Sequence, residues 1–361
     1  MKITFLLPTV RISGGVRSTF EIANRLLDRG HDVKIVYPTM LFGRKWYTPR
    51  QQVVRFLKTL ARITSKNNVD WFDIRADLIR VPTLEEKYIP KGDIVVATWW
   101  ENVHDLNGYG KEKGEKFHFV RCYEIWGGPE KEVNEAYAFP IRKIVTSNCL
   151  KNIIKNKFGF PADGPLMNGI NREIFYSEKE HSKHHSPKRI GILYRTHPRK
   201  GMEDAFKAFM LVRNRYPDIK LVLFGDKPTL KDMKMINKLG EREIHINLDN
   251  VRMRKIYNSL DIFLFPSRVE GFGNPPMEAM ACGTACITTS TGAVPDYTVP
   301  GETALVCLPN KPNELADHML ELLTNEVKRQ KIATQGSEYI KKFTWDNTVN
   351  ELENIFREFA K

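Results

Sequence analysis

The chain has 361 residues, 42% hydrophobic and 27% charged, with 56 basic against 43 acidic side chains and a net charge of +13. That length suits two domains of roughly 150 to 200 residues, and no stretch approaches the roughly 20 apolar residues of a membrane span. The basic excess calls for an anionic partner, either a phosphorylated substrate or an anionic membrane face. Nucleic acid is not expected, because no DNA- or RNA-reading motif is present and the basic residues are spread through apolar helices.

Residues 3–7 read as a first strand, too short for the core of a signal peptide, which leaves the cytoplasm as the expected compartment. The loop Ser13-Gly14-Gly15-Val16, a helix through Leu27 and a strand at 32–37 complete a βαβ opening, from which parallel sheets grow. Gly14 and Gly15 lie where backbone amides and a helix N-terminus favour an anion, although two glycines also make a plain tight turn. Within 50–66, Arg50, Val53, Val54, Arg55, Phe56, Leu57, Lys58, Leu60, Ala61, Arg62 and Ile63 recur at helical spacing. Such a basic amphipathic helix either lies on an anionic membrane surface or packs its apolar face inward.

Further strands are predicted at 93–98, 117–121 and 143–146. Trp99, Trp100 and Glu101 follow the first of these, where aromatic rings beside a carboxylate suit a sugar acceptor and tryptophans equally suit a core. The polar segment 177–187 then interrupts the pattern. His181, His184 and His185 fall in it, and with His197 they read as a linker rather than a metal site.

Beyond the break, strands at 189–193, 219–224, 243–246, 262–265, 285–288 and 304–307 alternate with helices at 202–216 and 230–239. Helices at 312–324, 326–343 and 345–359 close the chain. Two doubly wound α/β halves are the economical architecture, divided as 1–180 and 181–344 with a last segment 345–361. Cys122, Cys149, Cys282, Cys286 and Cys307 are an odd number without metal spacing and read as buried free thiols.

Two strand ends in the second half carry charge. Arg195 and Lys200, in Tyr194-Arg195-Thr196-His197-Pro198-Arg199-Lys200-Gly201, follow one strand and precede a helix. They either converge on one diphosphate, arginine as a fork and lysine as a point charge, or stay solvated. Glu270 and Glu278 lie in Glu270-Gly271-Phe272-Gly273-Asn274-Pro275-Pro276-Met277-Glu278, after the apolar run 262–265. In an open α/β sheet ligands bind at that edge. Carboxylates there accept hydrogen bonds from hydroxyls, which points to a polyol joined to a phosphate; otherwise they are a solvated pair at a helix start.

Together with Asn168-Gly169-Ile170-Asn171 and Phe175, these segments resemble glycosyltransferase family four, the retaining GT-B enzymes, over nearly the whole chain. The resemblance implies two Rossmann-like domains facing a cleft, an acceptor domain first and a nucleotide-sugar domain second, with the last helix crossing back to the first. It implies a hexose moved from a nucleoside-diphosphate sugar to a glycan or lipid-linked glycan. Glu270 would contact the donor sugar and Glu278 the ribose, while Phe272, Gly273 and Asn274 border the sugar and diphosphate. Arg195 and Lys200 would hold the diphosphate, and Gly14 and Gly15 would close over it. No Asp-x-Asp occurs in the chain, and metal-independent catalysis without a cofactor is expected, by front-face attack in which the departing phosphate takes the acceptor's proton.

Two departures stand out. The family's histidine after a first-domain strand has no counterpart in 116–128, where His118 lies inside the strand; Tyr123 or Glu124 would fill that space beside the acceptor. The small glycine before the arginine is replaced by Tyr194. A nucleotide-sugar epimerase on the same plan and a non-catalytic glycan- or membrane-binding protein are the alternatives.

Overall fold

The structure, a computed structural model, describes residues 1–41, 43–64, 69–178 and 187–359. Residues 65–66 of the basic helix, the side chains of Arg62 and Ile63, and His181, His184 and His185 lie outside the described residues. The chain divides into two compact units, one of Met1–Asn168 and Trp345–Lys361, the other of Gly169–Thr344. The division falls at 168/169, so residues 169–178, expected with the first half, pack with the second.

In the first unit, β1 (Lys2–Leu6), α1 (Gly14–Asp28), β2 (Asp32–Pro38), α2 (Pro49–Thr64), β3 (Asp77–Val81) and β4 (Ile94–Ala97) come first. α3 (Trp100–Asn107), β5 (Glu115–Val120), α4 (Glu130–Ala138), β6 (Arg142–Val145) and α5 (Asn148–Phe158) follow. The sheet runs β3-β2-β1-β4-β5-β6 with every pairing parallel. Parallel strands are covered on both faces and read as continuous apolar runs, as β4 does with Ile94, Val95, Val96 and Ala97 all buried. Ile3, Phe5, Ile35 and Val96 face one core layer, and Leu6, Val36, Val95 and Ala97 the other. β3 is not anticipated from the sequence: it is an edge strand, Asp-Leu-Ile-Arg-Val, with only Val81 buried.

α2 forms as its spacing predicts but does not bury its apolar face. Val53, Val54, Phe56, Leu57 and Leu60 are 44 to 59% exposed. The inward side is polar: the Leu41 amide donates to Thr59 Oγ1 at 3.0 Å, Arg55 pairs with Glu101 at 2.5 Å, and the Gly43 amide donates to Gln52 Oε1 at 2.9 Å. The arrangement is the reverse of an ordinary surface helix, which turns its apolar stripe to the core.

The second unit holds β7 (Lys188–Tyr194), α6 (Met202–Arg215), β8 (Ile219–Gly225), α7 (Leu230–Ile236), β9 (Arg242–Ile246), α8 (Asn250–Ser259) and β10 (Ile262–Phe265). α9 (Asn274–Ala281), β11 (Ala285–Thr289), α10 (Val294–Tyr297), β12 (Leu305–Cys307), α11 (Pro312–Thr324) and α12 (Glu326–Tyr339) complete it. Its sheet runs β12-β11-β10-β7-β8-β9. The helix expected over 326–343 ends at Tyr339, and a single 3-10 turn follows. α13 (Trp345–Arg357) then joins the first unit, where Trp345, Val349, Leu352 and Phe356 enter the core beside α1. Of the five free cysteines, Cys282, Cys286 and Cys307 are buried as expected, but Cys149 is exposed near the start of α5 and Cys122 is half-buried.

Both sheets have the doubly wound order 3-2-1-4-5-6, counted within each unit. The strand order reverses beside β1 and β4 in one and beside β7 and β10 in the other, and at such a switch point the loops diverge and leave room for a ligand.

Candidate active site

In the second unit the charged residues expected from the sequence follow β7 and β10, the two strands that flank the switch point. The segment after β7 makes one 3-10 turn, Pro198–Lys200, and ends at Gly201 with φ 66°. A Cβ at Gly201 would stand 2.0 Å from the Pro266 carbonyl oxygen, so only glycine lets the turn approach the end of β10. The Arg268 amide donates to the Arg199 carbonyl at 2.7 Å, and the Arg268 guanidinium grips Asp204 of α6 with two bonds of 2.7 Å. On the other side, a Cβ at Gly292, φ 58°, would stand 2.8 Å from Glu270 Cβ. The Glu270 loop is therefore held from both flanks.

That clamp sets the central pair. Glu270 Oε1 accepts from Lys200 Nζ at 2.5 Å and from Ser267 Oγ at 2.6 Å. Both donors meet the same carboxylate oxygen. Glu278, in α9 and 9% exposed, accepts at 3.0 Å from the Tyr257 hydroxyl of α8. Burial, followed by the Glu278 charge, raises the Tyr257 pKa well above its usual value and fixes the phenol as the donor. Arg195 pairs with Asp226 at 3.0 Å, both partly exposed.

Phe272 stacks on Tyr297 with ring centroids 5.5 Å apart, and the Tyr297 hydroxyl donates to the Gly273 carbonyl. Gly273, with φ 91°, precedes Asn274 at the first position of α9. Pro275 and Pro276 then remove two amide donors from the first turn. The helix end alone is therefore a poor anion cradle. Tyr194, in place of a small residue, is buried. Its hydroxyl donates to Asp232 of α7 and accepts from the Thr229 amide, so it braces α7 within the fold.

In the first unit the expected acceptor residues are largely engaged by the fold. Trp100 is fully buried, its ring 5.9 Å from that of Trp46, and serves the core. Glu101 accepts from the Tyr47 hydroxyl at 2.8 Å and from Arg55 at 2.5 Å, tying α3 to α2. Glu124 is buried and accepts from the Trp100 amide at 3.0 Å, which caps the start of α3. Tyr123 bonds Asn134 and receives Lys157. Trp99 is half-buried. His118 is buried, and burial pulls its pKa down to about 3, so it is neutral and remote from acid-base work. Gly14 and Gly15 open α1, whose start is capped by Ser13 Oγ accepting from the Val16 amide at 3.2 Å.

Ser267, Tyr257 and Thr291 of the second unit and Arg121 of the first are not singled out by the sequence. Thr291, beside Gly292, has a buried hydroxyl without a partner; the same strand-end rule that picks out Arg195, applied to β11, finds it. Among the described residues, one group has metal-ligand proximity, His104 with Glu132 and Glu135. His104 Nε2 lies 2.9 Å from the Glu132 carbonyl, which accepts its proton and removes that nitrogen from ligation.

Residues 175–339 match the family model for glycosyl transferases group 1. An uncharacterized glycosyltransferase of Methanocaldococcus jannaschii is 27% identical over 225 residues, 59% of either chain. The capsular polysaccharide biosynthesis glycosyltransferase CapM of Staphylococcus aureus is 28% identical over 233 residues, 61% of this chain and 59% of its own. The chain thus spans 59% of the length of both relatives. A Staphylococcus aureus TarM variant, solved with UDP, alpha-GlcNAc-glycerol and Fondaparinux, superposes with a TM-score of 0.75 at 13% identity, covering 99% of this chain and 100% of that one. The fold is GT-B, two Rossmann-like α/β units.

Proposed function

With residues 175–339 matching the family model for glycosyl transferases group 1, we propose that the chain transfers a hexose from a nucleoside-diphosphate sugar to a glycan or lipid-linked glycan, with retention and without a metal. The observation that carries this reading is the Lys200–Glu270 pair at the switch point, beside a buried Glu278 oriented by Tyr257. Glu278 receives the ribose hydroxyls. Glu270 spends Oε1 on Lys200 and Ser267 and turns Oε2 to a hydroxyl of the sugar. Arg195 and Lys200 face the diphosphate and stabilise the charge that grows on it as the glycosidic bond breaks. Phe272, Gly273 and Asn274 border sugar and diphosphate. A carboxylate already bound to an ammonium is a weak nucleophile, which favours front-face transfer over a covalent intermediate on Glu270. The TarM structure, which shares this fold and holds UDP, supports a nucleoside diphosphate as the ligand proposed here.

The test is a transfer and hydrolysis screen over nucleoside-diphosphate sugars. Lys200→Ala is expected to lower turnover by roughly 10² to 10³, and Glu278→Ala to raise KM for the donor. Turnover unchanged in both variants, or halted by a chelator, contradicts the reading. Donor isomerised without any acceptor identifies an epimerase instead.

We propose also that α2 rests on an anionic bilayer, as a lipid-linked acceptor would require. Exposed Val53, Val54 and Leu57 stand beside exposed Arg50 and Lys58, and a net charge of +13 favours an anionic surface. Among the described residues, no helix is long and apolar enough to cross a membrane.

A further inference from the structure

Arg121 follows β5 and ends in a buried guanidinium whose three nitrogens find no hydrogen-bond partner. A buried arginine in that state is costly, because five N–H donors lose water and gain nothing in exchange. The Phe119 ring, 4.5 Å from the guanidinium carbon, offsets part of the loss. The Glu124 carboxylate attracts the charge but is bonded to the Trp100 amide. Burial draws the Arg121 pKa down to about 9, which still leaves it charged at neutral pH.

Its surroundings indicate what would satisfy it. Arg121 Nη1 lies 3.4 Å from the point where a Cβ on Gly15 would stand, so the guanidinium lies against the turn that opens α1. Ser13 accepts from the Val16 amide through its side chain and from the Arg17 amide through its carbonyl. The amides of Gly14 and Gly15, first and second in the helix, have no partner within a helix by its geometry. A fork of N–H donors and a helix start therefore meet at the C-terminal edge of one parallel sheet, and both favour negative charge.

We infer that Arg121, with the Gly14–Gly15 turn, forms an oxyanion-receiving site on the first unit that takes a phosphate or carboxylate group of a substrate. This rests on the proposed transfer only for the identity of that substrate, which is either the donor through its diphosphate or an acceptor carrying an acidic group. Arg121 selects for charge, as a site built to hydrogen-bond a group rejects analogues that lack it.

The experiment is thermal stability of the full chain with inorganic phosphate, pyrophosphate, UDP or GDP, for the wild type, Arg121→Met, Arg121→Lys and Lys200→Ala. Removing a buried unpaired charge should leave free Arg121→Met at least as stable as the wild type, while its response to at least one of these anions weakens by about tenfold or more. Arg121→Lys should keep part of the response. If Lys200→Ala retains the phosphate or pyrophosphate response while losing that to UDP and GDP, the oxyanion belongs to the acceptor. If Lys200→Ala abolishes every response that depends on Arg121, it belongs to the donor. An Arg121→Met variant with wild-type responses to all four anions overturns the site, as does a free variant melting several degrees below the wild type, which would mark Arg121 as a strut. Arg121-dependent anion binding without sugar transfer from any donor would refute the proposed function and leave this site standing.

Discussion

Glu270 Oε1 holds two donors at once, so Lys200 is partly neutralised before any substrate arrives. Glu270→Gln removes that neutralisation and should leave Lys200 more available to phosphate. The expected result is a split: turnover falls by roughly 10²-fold, while nucleoside diphosphate binding, read by thermal shift, is kept or strengthened. Equal loss of both would mean that Glu270 only orders the loop. Tyr257→Phe strips one hydrogen bond from Glu278; it should raise KM for the donor several-fold and destabilise the chain by about 1 kcal/mol. The residues legible in the sequence, Arg195, Lys200, Glu270 and Glu278, each lie just beyond an apolar run or in the helix after it. Ser267, Tyr257 and Arg121 depend on which strands and helices are neighbours. Ser267 and Arg121 also stand just past strands, but nothing in a Ser, a Tyr or a lone Arg records that β7 lies beside β10 or that the Gly15 turn lies against Arg121.

The periodicity that predicts a helix at α2 is indifferent to which face turns inward. The deciding features are the polar partners: Glu101 for Arg55 and the loop amides of Leu41 and Gly43. They come from loops and a helix whose position the local pattern does not encode. β3 escapes for a related reason, since an edge strand needs little apolar content to pair. If the outward face of α2 meets lipid, the full chain should co-sediment with vesicles containing phosphatidylglycerol and not with phosphatidylcholine alone. Binding should weaken with salt because the attraction is screened over roughly 10 Å at 0.1 M ionic strength. Replacing Val53 and Leu57 together by Glu should abolish sedimentation with little change in melting temperature, since both side chains are exposed. Binding that survives this pair would assign membrane contact elsewhere or to charge alone.

At the scale of the molecule, the chain leaves the first unit at Asn168 and returns to it at Trp345, so that unit is completed only by the final helix. The amphipathic spacing of 345–359 makes the helix legible, but the identity of its partner was available only through the family resemblance. Phe356 is fully buried, 5.2 Å from the ring of Phe117 on β5, and Phe356→Ala should cost about 3 to 5 kcal/mol. The polar end of the contact converges on Glu353. Its carboxylate accepts from Arg357 at 2.6 Å within α13, and from Arg29 and His31 at 3.0 Å each from the opposite side. The bond from Arg357 above all, then those from Arg29 and His31, brings its pKa from the usual 4.5 down to about 2. A carboxylate depressed in the folded state adds stability that is complete above its unfolded pKa and disappears as protons bind. That contribution should therefore be lost as pH falls from about 4.5 to about 2. Thermal unfolding across that window should be steeper in pH for the wild type than for Glu353→Gln, which cannot titrate. Parallel curves would show that the arginines anchor α13 without drawing on the Glu353 charge.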